Sequence, residues 1–138
     1  MPSASSTSRA ADNLEEHHRT TTALGVNLEA LAASAAGREG VVWSLEAGSD
    51  LNSNLVCFGV GRGVGEHVND EVDVVFVGVS GSGFVQADGR EYGLEAGKLV
   101  FVPRGARRST RGASEDFAYL TVHGRRGPLR IGIRPGPV

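Results

Sequence analysis

Residues 65–83 read GEHVNDEVDVVFVGVSGSG and join a polar stretch around His67 to a valine-rich run that ends in two glycines. Valine-rich runs favour strands, and glycines that follow such a run are typical of a turn. The stretch therefore predicts a β-strand with a lone histidine shortly before it. His67 is either a member of a metal cluster or a polar residue at the rim of a β-structure, and the rest of the sequence bears on that choice.

The same sequence pattern extends on both sides of this stretch. Short apolar, β-branched runs alternate with glycine-centred turns, which is typical of an all-β sandwich or barrel. Asp88-Gly89 predicts a tight hairpin, because both central positions of a type I′ turn need a positive φ. The predicted strands are 41–46, 54–60, 64–68, 72–79, 83–88, 90–94, 99–102, 107–110, 117–123 and 129–133.

The amino-terminal part has a different composition. Residues 1–12 are rich in Ser, Ala and Thr without an apolar anchor, which predicts a disordered tail. Residues 13–40 carry helix formers, and Asn27 is placed to cap a short LEALAASAA helix that stops at Gly37. The predicted organisation is a tail at 1–12, a helical segment at 13–40 and a β-barrel domain at 41–138.

The bulk composition excludes several classes of function. The 138 residues suit one domain, and a formal net charge of -2 argues against a surface that binds nucleic acid. A single cysteine, Cys57, excludes an intramolecular disulfide, and the start of the chain has no apolar segment typical of a signal peptide. No apolar run is long enough to cross a membrane. We therefore expect a cytoplasmic protein with no nucleic-acid or membrane partner.

The charges are unevenly distributed along the chain. Residues 1–103 hold six basic and fourteen acidic groups, whereas residues 104–138 hold eight arginines and two acids. In one interpretation, antiparallel strands set these arginines opposite the earlier acids as cross-strand pairs. In the other, some of them form a pocket for an anionic ligand, since the planar guanidinium suits carboxylates and phosphates.

With the strands in place, residues 41–133 resemble the cupin superfamily of small β-barrels, which has two sequence motifs. The resemblance implies an all-β, double-stranded β-helix (a jelly-roll barrel) with a short helical amino-terminal segment. It also implies that the chain forms a homodimer. The first motif, G-x5-H-x-H-x4-E-x6-G, matches at Gly61, His67, Asn69, Val74 and Gly81. The second, G-x5-P-x-G-x2-H-x3-N, matches at Gly97, Pro103, Gly105, Arg108 and Gly112.

In cupins that bind metal, the three histidines and the glutamate of these motifs hold the ion. The four corresponding residues here are His67, Asn69, Val74 and Arg108. Valine has no lone pair, and arginine brings a permanent positive charge to the place of the ion. The resemblance therefore implies a barrel without the usual four-ligand metal site, and we expect no metal cofactor.

A rebuilt metal site is the alternative. A one-residue slip or bulge before Val74 would turn Asp73 inward, because adjacent strand residues face opposite sides. On the strand FAYLTVH, the residues from Phe117 to His123 at every second position share one face. With that face inward, His67, Asp73 and His123 make a site suited to a divalent transition metal. Otherwise His123 caps the strand at the surface, which is the orientation we expect.

We therefore expect the protein to bind a small organic molecule inside the barrel. If Arg108 contacts this molecule, the group that it contacts is anionic. The resemblance to cupin isomerases and cyclases extends this to a reaction in which His67 is the catalytic acid or base. One alternative is a metal-dependent, oxygenase-like cupin, and another is a non-catalytic sensor or partner-binding barrel. The predicted ligand-binding residues are His67, Asn69, Asp73, Arg108, Tyr119 and His123.

Overall fold

The computed structural model describes residues 20–125, which contain one short helix and nine strands. The predicted tail 1–12, the start of the predicted helical segment and the predicted strand 129–133 lie outside the described residues. The elements are α1 (Leu28–Ser34), β1 (Gly40–Ser44), β2 (Leu51–Phe58), β3 (His67–Val68), β4 (Val74–Ser80), β5 (Ser82–Ala87), β6 (Arg90–Glu95), β7 (Leu99–Val102), β8 (Arg107–Gly112) and β9 (Phe117–Gly124).

The strands form two antiparallel sheets that pack face to face. The larger sheet has the order β1-β2-β9-β4-β7, and the smaller has the order β3-β8-β5-β6. Non-consecutive strands are neighbours in both sheets, as expected for a jelly roll rather than a meander. The all-β prediction is confirmed.

Two apolar clusters stabilise the larger sheet, one on each face. The inner cluster fills the space between the sheets, and the outer cluster lies under α1, so the central strands of this sheet are covered on both sides. Burial of this kind is the main favourable contribution to folding. The buried inner residues are Val56, Val74, Phe76, Val85, Leu94, Val100, Val102, Ala106, Phe117 and Tyr119, and the buried outer residues are Ala32, Leu55, Cys57, Val79 and Ala118.

Helix α1 begins as the sequence predicts. Asn27 is the N-cap, and its Oδ1 accepts a hydrogen bond from the backbone N–H of Ala30 at 2.9 Å. The described residues before Asn27 are not helical, and Thr20 pairs with Ala47 instead. The prediction of helix from residue 13 onward is wrong for residues 20–27, because the run of β-branched threonines disfavours a helix. Within residues 20–125 no helix has the length and apolarity needed to cross a membrane.

The turn at Asp88-Gly89 has the predicted conformation. Asp88 has φ 49° and Gly89 has φ 83°, and the ladder closes at the pair Ala87 and Arg90. The predicted strand 64–68 is reduced to His67–Val68. Its two residues pair with the first two of β8, and this short contact positions the site described next.

Candidate functional site

Strands β3 and β8 place His67 beside Arg108. The two residues are direct partners in the antiparallel ladder, as are Val68 and Arg107. Alternate residues of a strand face opposite sides, so the first pair faces the interior and the second faces solvent. Arg108 is 1% exposed, whereas Arg107 is exposed. The register thus brings the imidazole and the buried guanidinium to the same face of the smaller sheet.

The Arg108 guanidinium is held by backbone carbonyls. Its Nε donates to the carbonyl of Ala106 at 3.2 Å, and Nη2 donates to the carbonyl of Pro103 at 2.9 Å. Its Nη1 is buried and has no partner. Across residues 20–125, no acidic side chain forms an ion pair with Arg108.

The environment of Arg108 also affects its pKa. Burial lowers the pKa of this guanidinium, and the negative charges of Asp88 and Asp73 partly offset that effect. Neither carboxylate is committed to the guanidinium, because the Oδ1 atoms of Asp88 and Asp73 accept from the backbone N–H groups of Arg107 and Arg104. An arginine nevertheless keeps its charge in proteins, so a positive charge is buried without an ionic partner in the part of the chain that the structure describes.

Asn69 follows His67 by two residues and is 5% exposed. Its Oδ1 accepts from the backbone N–H groups of Glu71 and Val72, at 2.9 and 3.3 Å. The oxygen of the amide is therefore identified by its two donors, and Nδ2 points the other way. Nδ2 is buried without a partner. The carbonyl of Asn69 accepts from the N–H of Gly105 at 2.7 Å, which ties this residue to the turn that precedes β8.

The His67 ring has a defined tautomer when it is neutral. Its Nδ1 lies 2.8 Å from the carbonyl oxygen of Gly65. A carbonyl oxygen only accepts, so Nδ1 carries the hydrogen and Nε2 carries the lone pair. Nε2 is buried and has no partner.

These three nitrogens, His67 Nε2, Asn69 Nδ2 and Arg108 Nη1, form what we call the polar cluster. They are all of the buried side-chain nitrogen and oxygen atoms without a partner in the described part of the chain. Such atoms are few in native proteins, and each is costly unless a hydrogen-bonding group reaches it. Their occurrence on three of the motif positions, linked by strand register and by the Gly105 contact, marks this place as the candidate site.

Asp73 does not take part in the cluster. It is exposed, and its carboxylate accepts from the backbone N–H of Arg104 at 2.9 Å. The inward turn of Asp73 that the alternative metal site requires does not occur, because β4 starts in regular register with Val74 buried. Its one irregularity lies between Gly78 and Ser80, far along the strand.

The polar face of β9 points inward. Phe117, Tyr119, Thr121 and His123 are all buried, and His123 is 4% exposed with Nδ1 at 2.9 Å from the carbonyl of Gly124. The expectation that His123 lies at the surface is wrong. The two aromatic rings fix the orientation of the strand, since Tyr119 packs against Phe117 and Phe76 at centroid distances of 5.3 and 5.7 Å.

Tyr119 belongs to the core rather than to the polar cluster. Its hydroxyl is 3.0 Å from Thr110 Oγ1, which in turn accepts from the N–H of Val64 at 3.1 Å. Burial raises the pKa of Tyr119 to about 12, with a smaller opposing effect of the Thr110 hydrogen bond and a further rise from Cys57. The hydroxyl that sequence reasoning assigned to a ligand is therefore already bonded within the barrel.

The raised pKa of Tyr119 predicts a loss of stability in alkali. The unfolded chain ionises this phenol near its ordinary pKa of 10, while the folded chain keeps it neutral up to about 12. We therefore expect the residue to contribute full stability below pH 10 and to lose roughly 2–3 kcal/mol as the pH rises to 12. Urea denaturation of the wild type and Tyr119→Phe at several pH values measures this. At neutral pH the free energy of unfolding of the wild type should exceed that of Tyr119→Phe by about 1 kcal/mol. This difference should shrink and change sign as the pH rises to 12. A difference that does not vary with pH contradicts the prediction.

The donor set does not fit the metal that the resemblance associates with this fold. Of the four motif positions, Val74 is a fully buried core residue and Arg108 directs a guanidinium into the site. Neither is a metal ligand. In addition, no three His, Cys, Asp or Glu side chains between residues 20 and 125 are grouped so as to hold an ion, so His67, Asp73 and His123 do not converge.

Two arginines of the carboxyl-terminal part differ in their surroundings. Arg111 lies over the Phe84 ring at 4.8 Å and pairs with Glu91 at 2.6 Å across the smaller sheet. Arg108, three residues earlier and facing inward, forms no ion pair within residues 20–125. Cross-strand pairing thus holds for Arg111, whereas an anion pocket at Arg108 stays a prediction.

A groove lies away from the polar cluster. It has a volume of about 720 Å³ and lies between α1 and one end of the larger sheet, and Cys57 is at its wall. Burial raises the pKa of the Cys57 thiol, and the charge of Arg38 partly offsets the rise. A buried thiol of this kind behaves as a small apolar residue. The alanine-rich sequence of α1 gave no signal for a groove.

Comparisons with known proteins agree with the geometry. A family model described as "Cupin domain" matches residues 54–123, which is about half of the chain. The comparison with curated proteins gave no match.

Three solved structures illustrate the similarity in fold. BH2720 from Bacillus halodurans has a TM-score of 0.64 at 18% identity, covering 78% of this chain and 85% of that one. KdgF from Halomonas sp. has a TM-score of 0.57 at 19% identity, with coverages of 62% and 77%. An RmlC-like cupin family protein with a double-stranded beta-helix fold from Methanocaldococcus jannaschii has a TM-score of 0.51 at 14% identity, with coverages of 57% and 73%.

Proposed function

The chain belongs to the cupin domain family, and on that premise we propose that it binds a small organic anion at the polar cluster. The observation that carries the proposal is the buried guanidinium of Arg108, which has no ionic partner among the described residues and has an unsatisfied Nη1. A buried charge without a counter-charge is costly, and an anion that reaches it recovers part of that cost.

A carboxylate is the anion that suits the cluster. Arg108 Nη1 and Asn69 Nδ2 are both donors, and a carboxylate has two oxygens to accept from them. Hydrogen bonds between charged partners are roughly twice as strong as neutral ones. The short β3 and the turn at 103–106 border the cluster, and His67 is only half-buried, so we propose that a small molecule approaches from that side.

The reaction class that we propose is proton transfer, as in an isomerase or a cyclase. His67 is the residue we assign as general base, because its neutral tautomer presents a lone pair beside the two donors. A base next to an anion-binding pair is suited to removing a proton from a bound organic acid. Asp73 and Tyr119, whose polar groups are engaged elsewhere, are left out of the proposed site.

Three further expectations stay predictions. The homodimer that the resemblance implies would use exposed apolar residues such as Leu99 and Phe101 on the edge strand β7. The sensor alternative depends on Arg125, Arg126, Arg130 and Arg134, of which only Arg125 lies within the described residues. The cytoplasmic location likewise stays a prediction.

Titration of ¹⁵N-labelled protein with propionate, followed by NMR, tests the proposal. We expect saturable shifts centred on His67, Asn69 and the Arg108 side chain. Propionamide has the same shape without the charge. We expect its affinity to be lower than that of propionate by a factor of at least about ten. Sodium chloride at matched ionic strength is the control for screening. Equal binding of acid and amide, or shifts spread evenly over surface arginines, would contradict the proposal.

A further inference from the structure

We propose that the ligand is a 2-hydroxycarboxylate, with its carboxylate on Arg108 and Asn69 and its hydroxyl donating to His67. This inference rests on the proposed function and specifies the chemistry of the same site. It follows from the hydrogen-bonding role of each atom in the polar cluster, taken in turn.

His67 requires a hydrogen-bond donor from the ligand. Because Nδ1 donates to the carbonyl of Gly65, the neutral ring presents only an acceptor at Nε2. An acceptor buried inside the barrel is satisfied by a donor and is repelled by another lone pair. The ligand therefore needs an O–H or N–H group at this point.

Asn69 and Arg108 require hydrogen-bond acceptors from the ligand. Asn69 uses its oxygen on the backbone of Glu71 and Val72, so its free side is N–H only. Arg108 has Nε and Nη2 on backbone carbonyls, so its free side is Nη1 with its hydrogens. The ligand therefore needs two acceptors at these points, and one of them faces a full positive charge.

These requirements exclude the other simple acids. A plain carboxylic acid satisfies the two donors but leaves His67 Nε2 without a partner. A dicarboxylate or a 2-keto acid sets an oxygen lone pair against that nitrogen. An amino acid supplies a donor, but its ammonium group brings a second cation close to a guanidinium that forms no ion pair within residues 20–125. A hydroxyl is the neutral donor that remains.

The strand register bears on the position of the hydroxyl. His67 and Arg108 are direct partners on neighbouring strands, so their Cβ atoms are only about 5 Å apart. Because both side chains leave the same face of the smaller sheet side by side, we place the donor of the ligand near its carboxylate, on the carbon next to it.

Binding of lactate, propionate and 2-methoxypropionate to the wild-type protein tests the inference by NMR titration or calorimetry. The three acids share the carboxylate and differ at one position, which is a hydroxyl donor, a hydrogen or a methylated oxygen. We expect lactate to bind at least roughly tenfold more tightly than either analogue, because a site built around a hydroxyl discriminates strongly against ligands that lack it. Lactate should also shift the ¹⁵N resonance of His67 Nε2, while Nδ1 stays protonated.

His67→Phe provides the variant test. We expect it to lose the preference for lactate, so that it binds lactate and propionate with similar affinity. Val68→Ala, at the neighbouring position that faces solvent, is the matched control and should keep the preference. The affinities of the wild-type protein for the three acids test the hydroxy-acid inference even where His67→Phe folds poorly.

The outcomes separate the two proposals. Saturable binding of propionate and lactate with equal affinity overturns the hydroxy-acid inference and leaves the anion site standing. Saturable binding of neither acid at the cluster overturns the proposed function and the inference together. A His67 ring protonated on Nε2 in its neutral form also overturns the inference, because the acceptor it needs is then absent.

Discussion

Gly78→Ala is expected to lower the free energy of unfolding by roughly 3 kcal/mol, at the upper end of what overpacking costs. A Cβ at this position would lie 2.0 Å from the carbonyl oxygen of Glu95 and 2.3 Å from its carbonyl carbon. Both are backbone atoms, so no side-chain rotation relieves the clash. The backbone N–H of Gly78 also donates to the carbonyl of Lys98 at 2.9 Å, which keeps the two segments in contact.

Gly93→Ala is the matched control for this substitution. Gly93 is also a strand residue, its φ is not positive, and a Cβ there meets nothing within 4 Å. We expect its effect to stay within about 0.5 kcal/mol, or to be slightly stabilising. Urea denaturation followed by circular dichroism measures both variants. Equal free energies of unfolding for Gly78→Ala and Gly93→Ala would contradict the prediction. They would show that the backbone between β4 and the turn after β6 moves apart at no cost.

The fold was predictable because the motif glycines stand where the backbone requires them. The motif glycines 61, 81, 97 and 105 all have positive φ, between 60° and 90°. Residues with a Cβ rarely adopt this conformation, so a sequence that places glycine at all four specifies the turns. The strands between these turns then follow from their β-branched residues.

The orientation of β9 was not predictable, for a physical reason. In FAYLTVH, Phe117 and Tyr119 pack into the inner cluster while Ala118 packs under α1. A strand that is covered on both faces has no alternation of apolar and polar residues to show which side is inward. Asp73 was misplaced for a related reason, since one residue of register decides the face and the sequence does not fix it.

The candidate site was only half predictable. The motif register alone picked out His67, Asn69 and Arg108. The roles of their atoms depend on backbone carbonyls at Gly65, Pro103 and Ala106, which any residue type supplies. A sequence therefore indicates which side chains meet, but not which of their nitrogens are left to a ligand.

Arg108→Met is expected to weaken propionate binding by about a hundredfold, equivalent to about 3 kcal/mol. The substitution removes the charge and the unsatisfied donor while it keeps most of the volume. Calorimetry measures the affinity, and thermal denaturation with and without propionate measures the linked stabilisation. The wild-type melting temperature should rise with the acid, since a ligand stabilises the state that binds it. The melting temperature of the variant should not.

The stability of the variant without ligand distinguishes a binding arginine from a structural one. Removing one partner of a buried ion pair typically costs about 3–5 kcal/mol, because the other charge is left uncompensated. Arg108 has no acidic partner in residues 20–125, so we expect Arg108→Met to unfold within about 1 kcal/mol of the wild type. The lost bonds to Pro103 and Ala106 are offset by removal of a buried charge. Arg107→Met, its exposed neighbour, should leave binding and stability unchanged; a loss of several kcal/mol in Arg108→Met with unaltered binding would assign the guanidinium to the fold instead.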